Sequence, residues 1–495
     1  MSSSSTKLPT LPSHLDLFYG GEWHKPIDKT YEDTVSPATG KPITKVAVAS
    51  SADVDAAVSA AHKAFLSWKL VPGIERARYL RKAAEVLRAN SVELAKLDSW
   101  NTGNPLTKML RDAEIAAIQL DFFAGLIPMI KGETIPQDEG ETFHYTVREP
   151  LGVVGRIIAY NHPVQFAGAK LAAPLAAGNT IVIKTPDQAP LACLRLAELL
   201  TDVFPPGVVS ILPGKAECGK ALTSHPMVKM VTLIGSAATG KLIQQAVAGS
   251  LKPTILELGG KNPLIAYPDA DIDKVAAGVV RGMNFTWAGQ SCISTSRVYL
   301  HESHHDIILE KVKAILERDY KPGIPFEPTT TMGPVISKEA HERVLGYIES
   351  AKSQGARVIT GGKVPILPEE MKQGYWIEPT VFADVGPDFR IAREEIFGPV
   401  VSIFKWHDEE ELFKNVNDTP YGLSASVWTK DIVKATKAVR RIGAGYIWVN
   451  QTSKHFFGVP FGGFKDSGYG KEECLEELLS FTELKAINIL LADTY

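Results

Sequence analysis

Met230-Val231-Thr232-Leu233-Ile234-Gly235-Ser236-Ala237-Ala238-Thr239-Gly240 decides the fold class. Met230 to Ile234 is an apolar, β-branched run that predicts a strand buried on both faces. It breaks at Gly235 into a segment with helical patterning through about Val247. The same alternation precedes it: a strand at Thr180-Ile181-Val182-Ile183, a helix from Leu191 to Phe204 and a strand from Val208 to Leu212. Buried strands alternating with helices predict a parallel, doubly wound α/β sheet. From Asn262 to about Phe461 the alternation resumes with strands at Val298-Tyr299-Leu300, Val400 to Phe404 and Ala425 to Trp428, which reads as a second α/β domain. Upstream, Ser51 to Asn90 predicts two helices broken near Pro72-Gly73, and helical patterning continues to Leu126. The alternating stretch Glu141 to Arg148 reads as an extended excursion from the first domain. The apolar run Ala486 to Leu491 reads as one more strand, free to pair with a sheet elsewhere. No repeat of 20–50 residues is visible, so a solenoid is excluded.

The 495 residues are enough for about two to four domains. With 45% hydrophobic and 22% charged residues, the chain has the make-up of a globular protein with large cores. A net charge of -3 gives no electrostatic case for nucleic acid or an anionic membrane as partner. Four scattered cysteines, none as Cys-x-x-Cys, exclude a disulfide framework and argue against a zinc site, so no metal is expected. That usage fits a reducing compartment, and cytosol is the expectation. Residues 1–13 read as a disordered tail without a targeting pattern. The ending Ala492-Asp493-Thr494-Tyr495 is no peroxisomal or ER-retention address. No run of 18 apolar residues predicts a membrane span.

Cys292 carries the strongest chemical signal. It lies in Gly289-Gln290-Ser291-Cys292, thirty-five residues after Glu257 of Glu257-Leu258-Gly259-Gly260-Lys261. A thiol among small and polar neighbours, with a carboxylate on a Gly-rich turn, suggests a nucleophile and its base. Cys193, inside Leu191-Ala192-Cys193-Leu194, looks instead like a small core residue. Gly235, Ser236 and Gly240 stand at a strand-to-helix turn that could receive a phosphate, though an ordinary tight turn has the same look. Lys184-Thr185-Pro186-Asp187 sits at a strand's carboxyl end, where ligands of open α/β sheets bind, and its Lys and acid suit ribose hydroxyls. In Tyr160-Asn161-His162-Pro163 the Asn161 amide could donate to an oxyanion, while His162 reads as structural or pocket-lining. Glu394-Glu395-Ile396-Phe397-Gly398-Pro399-Val400 offers a carboxylate and an aromatic, or simply a helix end entering a strand. Pro460-Phe461-Gly462-Gly463-Phe464-Lys465-Asp466-Ser467-Gly468 suggests close backbone packing near a pocket mouth.

In this order, and together with Pro420-Tyr421-Gly422-Leu423, these motifs resemble the aldehyde dehydrogenase superfamily from about Tyr19 to Lys485. The resemblance implies a Rossmann-like cofactor domain (14–129 and 151–260), an α/β catalytic domain (261–462) and a small β oligomerisation extension (130–150 and 478–495). It implies a homodimer or homotetramer using NAD or NADP. It assigns Cys292 as nucleophile, Glu257 as base and Asn161 as oxyanion donor. Lys184, Asp187, Gly235, Ser236, Gly240, Glu395 and Phe397 are implied at the cofactor, and Glu472 as a secondary proton relay. Phe166, Ala169, Thr286, Trp287, Ser291, Ile293, His455 and Phe461 are implied in the substrate channel.

The sequence departs from the family pattern in three places. Asp187 stands where relatives often carry Glu; a carboxylate there repels a 2′-phosphate and favours NAD, with NADP left open. The oxyanion motif has Tyr160 and His162 in place of the commoner Trp and Phe or Tyr. Ala169 replaces a larger aromatic and is expected to widen the channel. An apolar, aromatic lining without Arg or Lys favours uncharged aliphatic or aromatic aldehydes and leaves the semialdehyde of a proline-type substrate without an anchor. A CoA-acylating enzyme and a non-catalytic protein on the same scaffold are the rivals. Glu257 argues against the first, and the joint presence of Cys292, Glu257 and Asn161 argues against the second.

Overall fold

The computed structural model describes residues 8–137 and 141–491. Of the expected tail, residues 1–7 lie outside the described residues, as do parts of the expected extension at 138–140 and 492–495; residues 8–13 form no helix or strand.

The first sheet has a parallel core of five strands: Val153–Ile157, Thr180–Lys184, Val209–Leu212, Val228–Ile234 and Thr254–Glu257. Numbered by position in the chain, they lie in the order 3-2-1-4-5. That is the order of a dinucleotide-binding half, with its switch point between Val153–Ile157 and Val228–Ile234. The carboxyl ends of those two strands deliver Tyr160-Asn161 and Gly235-Ser236 to one crevice. Leu17–Tyr19 and Glu22–His24 extend one edge, and Gly468–Tyr469 pairs antiparallel with Thr254–Glu257 at the other.

Helices cover both faces. Ser51–Trp68 starts with a capping box in which Ser50 and Asp53 satisfy each other's backbone N–H groups, a feature that contributes about 1 kcal/mol. Its buried Val54, Ala57, Val58 and Ala61 pack with Val182, Leu212 and Val231 of the sheet. On the other face Gly73–Ala89, Asp112–Leu126 and Leu191–Leu200 bury an Ala- and Leu-rich core with Ile181 and Ile183.

The second sheet has seven strands, ordered Arg357–Thr360, Thr380–Ala383, Val400–Trp406, Arg297–His301, Pro263–Ala266, Ser424–Trp428 and Tyr446–Val449; all but the first neighbour pair are parallel. The chain passes between the sheets over only five residues, Leu258 to Asn262. Glu257 thus ends the last parallel strand of one sheet, and the turn after it begins the other. Thr142–Pro150 and Thr482–Leu490 pair antiparallel over nine residues as a separate two-stranded ribbon.

Candidate active site

The turn after Glu257 is shaped by what it wraps. The Gly260 N–H donates to Glu395 Oε1 at 3.0 Å. A Cβ on Gly259 would meet the Glu395 carboxylate at 1.9 Å, so only glycine lets the turn close on that side chain. Two residues on, Asn262 Nδ2 donates to the carbonyls of Cys292 and Ser294 at 2.7 and 2.9 Å. One short segment therefore positions both the carboxyl of Glu257 and the loop of the thiol.

The Cys292 loop is tightly wound. Asn284, Ala288 and Gly289 all have positive φ, and a Cβ on Gly289 would lie 2.2 Å from the Gly398 carbonyl. Non-glycine residues in that region are strained and persist where the surroundings over-determine them, often at functional sites. Of the four cysteines Cys292 alone is not buried. Although the residue is partly exposed, desolvation of its sulfur and the neighbouring charge of Glu257 push the thiol well above the usual range.

Glu257 is 4% exposed and its Oε1 has no hydrogen-bond partner. Burial, reinforced by the charge of Glu472, raises its carboxyl to about 8. Glu472 is equally buried but pinned, with Oε1 2.8 Å from Arg156 Nη2 and Oε2 2.8 Å from Lys170 Nζ. Burial alone would raise Glu472; the two cations and their hydrogen bonds outweigh it and hold the carboxyl well below the usual range.

Asn161 is buried, its backbone carbonyl accepts from Asn104 Nδ2 at 3.3 Å, and its side-chain Oδ1 is unpartnered. Its Nδ2 donates to no described residue, and neither does the Cys292 backbone N–H. Two free donors of this kind suit an oxyanion. Beside Asn161, His162 Nδ1 lies 2.8 Å from Asp112 Oδ2, and its ring centroid is 5.4 Å from that of Trp287 and 5.9 Å from that of Phe166.

Phe461 and Ile293 pack with Leu423, Tyr446 and Trp448 in a small cluster against Cys292. The His455 ring centroid lies 4.4 Å from that of Phe461. Thr286, Trp287 and Ser291 are partly exposed on the loop leading to Cys292. Ala169 stands apart: at 1% exposure it is packed in the apolar core of the first lobe, so it presents no surface to a channel. On the helix Pro163–Ala169, Phe166 keeps some exposed surface and Ala169 none to speak of.

At the switch point Ser236 caps the helix Ala237–Ala248, accepting from the Thr239 N–H at 3.2 Å. The N–H groups of Ala237 and Ala238 donate to no described residue, which suits a pyrophosphate. Gly240 is buried one turn further on. Lys184 Nζ is engaged by Asp187 and by the Thr185 carbonyl. Phe397 has a positive φ, and its ring centroid lies 5.9 Å from that of Tyr160. These residues fit a dinucleotide. No group of three or more His, Cys, Asp or Glu side chains among the described residues could hold a metal.

Arg156, Lys170, Asp112 and Glu473 escaped the sequence reading. The signal was present for two of them: Arg156 and Lys170 are charges inside otherwise apolar runs, Val153–Ile158 and Ala167–Ala177.

A switch-point dinucleotide sheet facing a thiol, a carboxyl and an amide is the equipment of an oxidoreductase that works through a covalent intermediate. The chain belongs to the aldehyde dehydrogenase family, whose model matches residues 23–487. Aldehyde dehydrogenase tropH of Talaromyces stipitatus is 56% identical over 483 residues, 97% of this chain and 94% of that one. The NAD+ complex of aldehyde dehydrogenase from Bacillus cereus superposes with a TM-score of 0.93 at 37% identity, covering 96% of each chain. Betaine aldehyde dehydrogenase from Staphylococcus aureus in complex with NAD+ gives 0.94 at 32% identity, over 97% of this chain and 96% of that one. The protein oxidises aldehydes with a nicotinamide dinucleotide, NAD(P), as cofactor. No helix among the described residues is long and apolar enough to cross a membrane.

Proposed function

We propose that Cys292 is the nucleophile, Asn161 the oxyanion donor and Glu257 the base of a hydrolytic aldehyde oxidation that yields a carboxylic acid. The observation that carries it is the pairing of the one cysteine that is not buried with a buried carboxyl whose Oε1 is unpartnered. Glu257 takes the thiol proton as the Cys292 sulfur adds to the aldehyde carbon and passes it to solvent before hydrolysis; the thiohemiacetal oxyanion is held by Asn161 Nδ2 and the Cys292 N–H. Lys184, Asp187, Ser236, Glu395 and Phe397 would hold NAD, which would supply the hydride acceptor that turns the thiohemiacetal into a thioester. Glu257 then takes a proton from water as the oxygen adds to the thioester carbon, and acid is released with the thiolate restored.

The substrate is an uncharged aliphatic or aromatic aldehyde, supported by Phe461 packed against Cys292 and by the rings of Phe166 and Trp287 beside His162. Asp187 favours NAD over NADP by repelling a 2′-phosphate, although its ion pair with Lys184 reduces that repulsion. The chain assembles as a homo-oligomer through the ribbon of Thr142–Pro150 and Thr482–Leu490, which leaves Phe143, Leu484, Ile489 and Leu490 exposed. Four unpaired cysteines support a reducing compartment such as the cytosol.

The test is NADH formation across a panel of aldehydes, with the products identified in the presence and absence of CoA. Free acid as product, and loss of turnover by at least on the order of 10⁴-fold in Cys292→Ala, are expected. Acyl-CoA as product, or turnover retained without the thiol, would sink the mechanism.

A further inference from the structure

Two imidazoles share a construction: His162 lies beside Trp287 of the Cys292 loop, and His455 beside Phe461, which packs against Cys292. His162 follows the oxyanion residue, and its Nδ1 is held at 2.8 Å by Asp112, a carboxylate 3% exposed at the start of the helix Asp112–Leu126. His455 follows the strand Tyr446–Val449, and its Nδ1 lies 3.1 and 3.0 Å from the two carboxylate oxygens of Glu473, which is 8% exposed. In both pairs the carboxylate accepts the Nδ1 proton. Held this way, a ring without a second proton carries its lone pair on Nε2, on the far side.

In both rings Nε2 makes no hydrogen bond to a described residue. A histidine serving only the fold would be expected to have both nitrogens satisfied wherever it is buried. Here both side chains keep open surface, 18% for His162 and 32% for His455.

The backbone explains why Glu473 reaches His455. Phe461 and Glu472 exchange two backbone hydrogen bonds of 2.9 and 2.7 Å, and the Gly458 N–H donates to the Glu473 carbonyl at 2.8 Å. The loop that carries His455 and Phe461 is thereby stitched to the segment that carries both glutamates. Glu473 adopts a positive φ to turn its side chain the other way from Glu472. One strained residue sends adjacent carboxylates to two destinations, the Arg156–Lys170 pair and the His455 ring.

The surroundings are aromatic: Trp287 and Phe166 beside His162, Phe461 and Tyr446 beside His455. Flat rings select a flat ligand by stacking but cannot tell a substituted ring from a bare one. The two imidazoles add polar selection to that wall.

We propose that His162 and His455 are specificity-determining residues, each oriented by a buried carboxylate to accept a hydrogen bond through Nε2 from a hydroxyl on the substrate. The preferred substrates are therefore aromatic aldehydes bearing ring hydroxyls. Asp112 and Glu473 are positioning residues that act through the imidazoles. The inference deepens the reading of an uncharged aliphatic or aromatic substrate and rests on it.

The experiment is steady-state kinetics of the full-length protein with NAD on acetaldehyde, benzaldehyde, 3,4-dihydroxybenzaldehyde and 3-carboxybenzaldehyde. The readout is the ratio of kcat/KM for the dihydroxy over the bare ring. The ratio in the wild type is expected near 10 or above, the worth of about one neutral hydrogen bond or more. His455→Phe and His162→Phe should each lower the ratio toward 1, chiefly through KM for the dihydroxy substrate. Glu473→Gln should lower it by less, and His455→Gln, which keeps an acceptor, should retain part of it. A purely structural role would lower all four substrates together and leave the ratio alone. A wild-type ratio near 1 that no variant moves overturns the inference and leaves the substrate reading intact. A preference for the carboxylate substrate shows the rings acting as cations and overturns the hydroxyl assignment. Turnover of acetaldehyde with none of the ring aldehydes overturns the aromatic-channel reading, and the inference with it.

Discussion

Two buried glutamates, Glu257 and Glu472, face opposite electrostatic environments within one crevice. Glu257 ends a strand, has an unpartnered oxygen and is pushed up to about 8. Glu472 lies on the loop after Gly470, is clamped by Arg156 and Lys170, and is held well below the usual range. Desolvation acts on both; Glu472 has two cations in contact, whereas Glu257 has none bonded to it and feels the negative charge of Glu472. A carboxyl of raised proton affinity can exchange a proton at neutral pH, whereas a clamped one stays charged and holds the structure together. The difference suggests a division of labour: Glu257 for chemistry, Glu472 for geometry and for the field that Glu257 feels. It also modifies the relay expected of Glu472, because a carboxylate with two committed oxygens gives up its charge reluctantly.

Exchanging the carboxyls for amides tests that division. Glu257→Gln should lower kcat by about 10²–10⁴-fold, the usual worth of a general base. Its thermal unfolding temperature should hold or rise, since a buried acid with an unpartnered oxygen is removed; a clear fall would break the contrast. Glu472→Gln should do the reverse: it strands two buried cations and should cost about 3–5 kcal/mol of stability in denaturant unfolding. Asn161→Ala should lower kcat by about 10²–10³-fold without unfolding, which separates loss of the oxyanion donor from loss of the base.

pH dependence separates the two carboxyls further. Glu257 acts ionised, so hydrolysis of the thioester should rise with pH and level off above about 8. Its folded-state value is raised, so the fold favours its protonated form. Its contribution to stability therefore falls as pH climbs from the ordinary carboxyl value through about 8. Glu472 is depressed, so its contribution is present above the ordinary carboxyl value and is lost as pH falls toward its low folded value. The smallest effect expected is a shift of the rate profile of Glu472→Gln to lower pH, because the charge of Glu472 helps to raise Glu257. An unmoved profile would show that the two groups do not sense each other.

Much of the architecture was legible in the chain. The runs at Thr180 to Ile183 and Met230 to Ile234 became strands Thr180–Lys184 and Val228–Ile234, because buried parallel strands write themselves as contiguous apolar stretches. The break at Pro72-Gly73 separates two helices as expected. The run after Ala486 pairs with Thr142–Pro150, a partner that periodicity cannot name. Correspondence with the family alone places Ala169 in the channel; at the end of its helix it is enclosed by the core of the first lobe instead.

The sequence by itself determined what acts locally: strand and helix periods, the glycine turns, and the clustering of Cys292, Glu257 and Asn161 in motifs whose neighbours mark them. Only the tertiary structure decided what those groups become. Arg156 and Glu472 stand 316 positions apart, and Lys170 and Glu472 302 apart, so nothing in either local sequence announces the clamp. The pairing of His162 with Asp112 and of His455 with Glu473 was hidden for the same reason. Proton affinity and ring orientation depend on burial and on charges a few ångströms away in space, and folding alone brings those charges together.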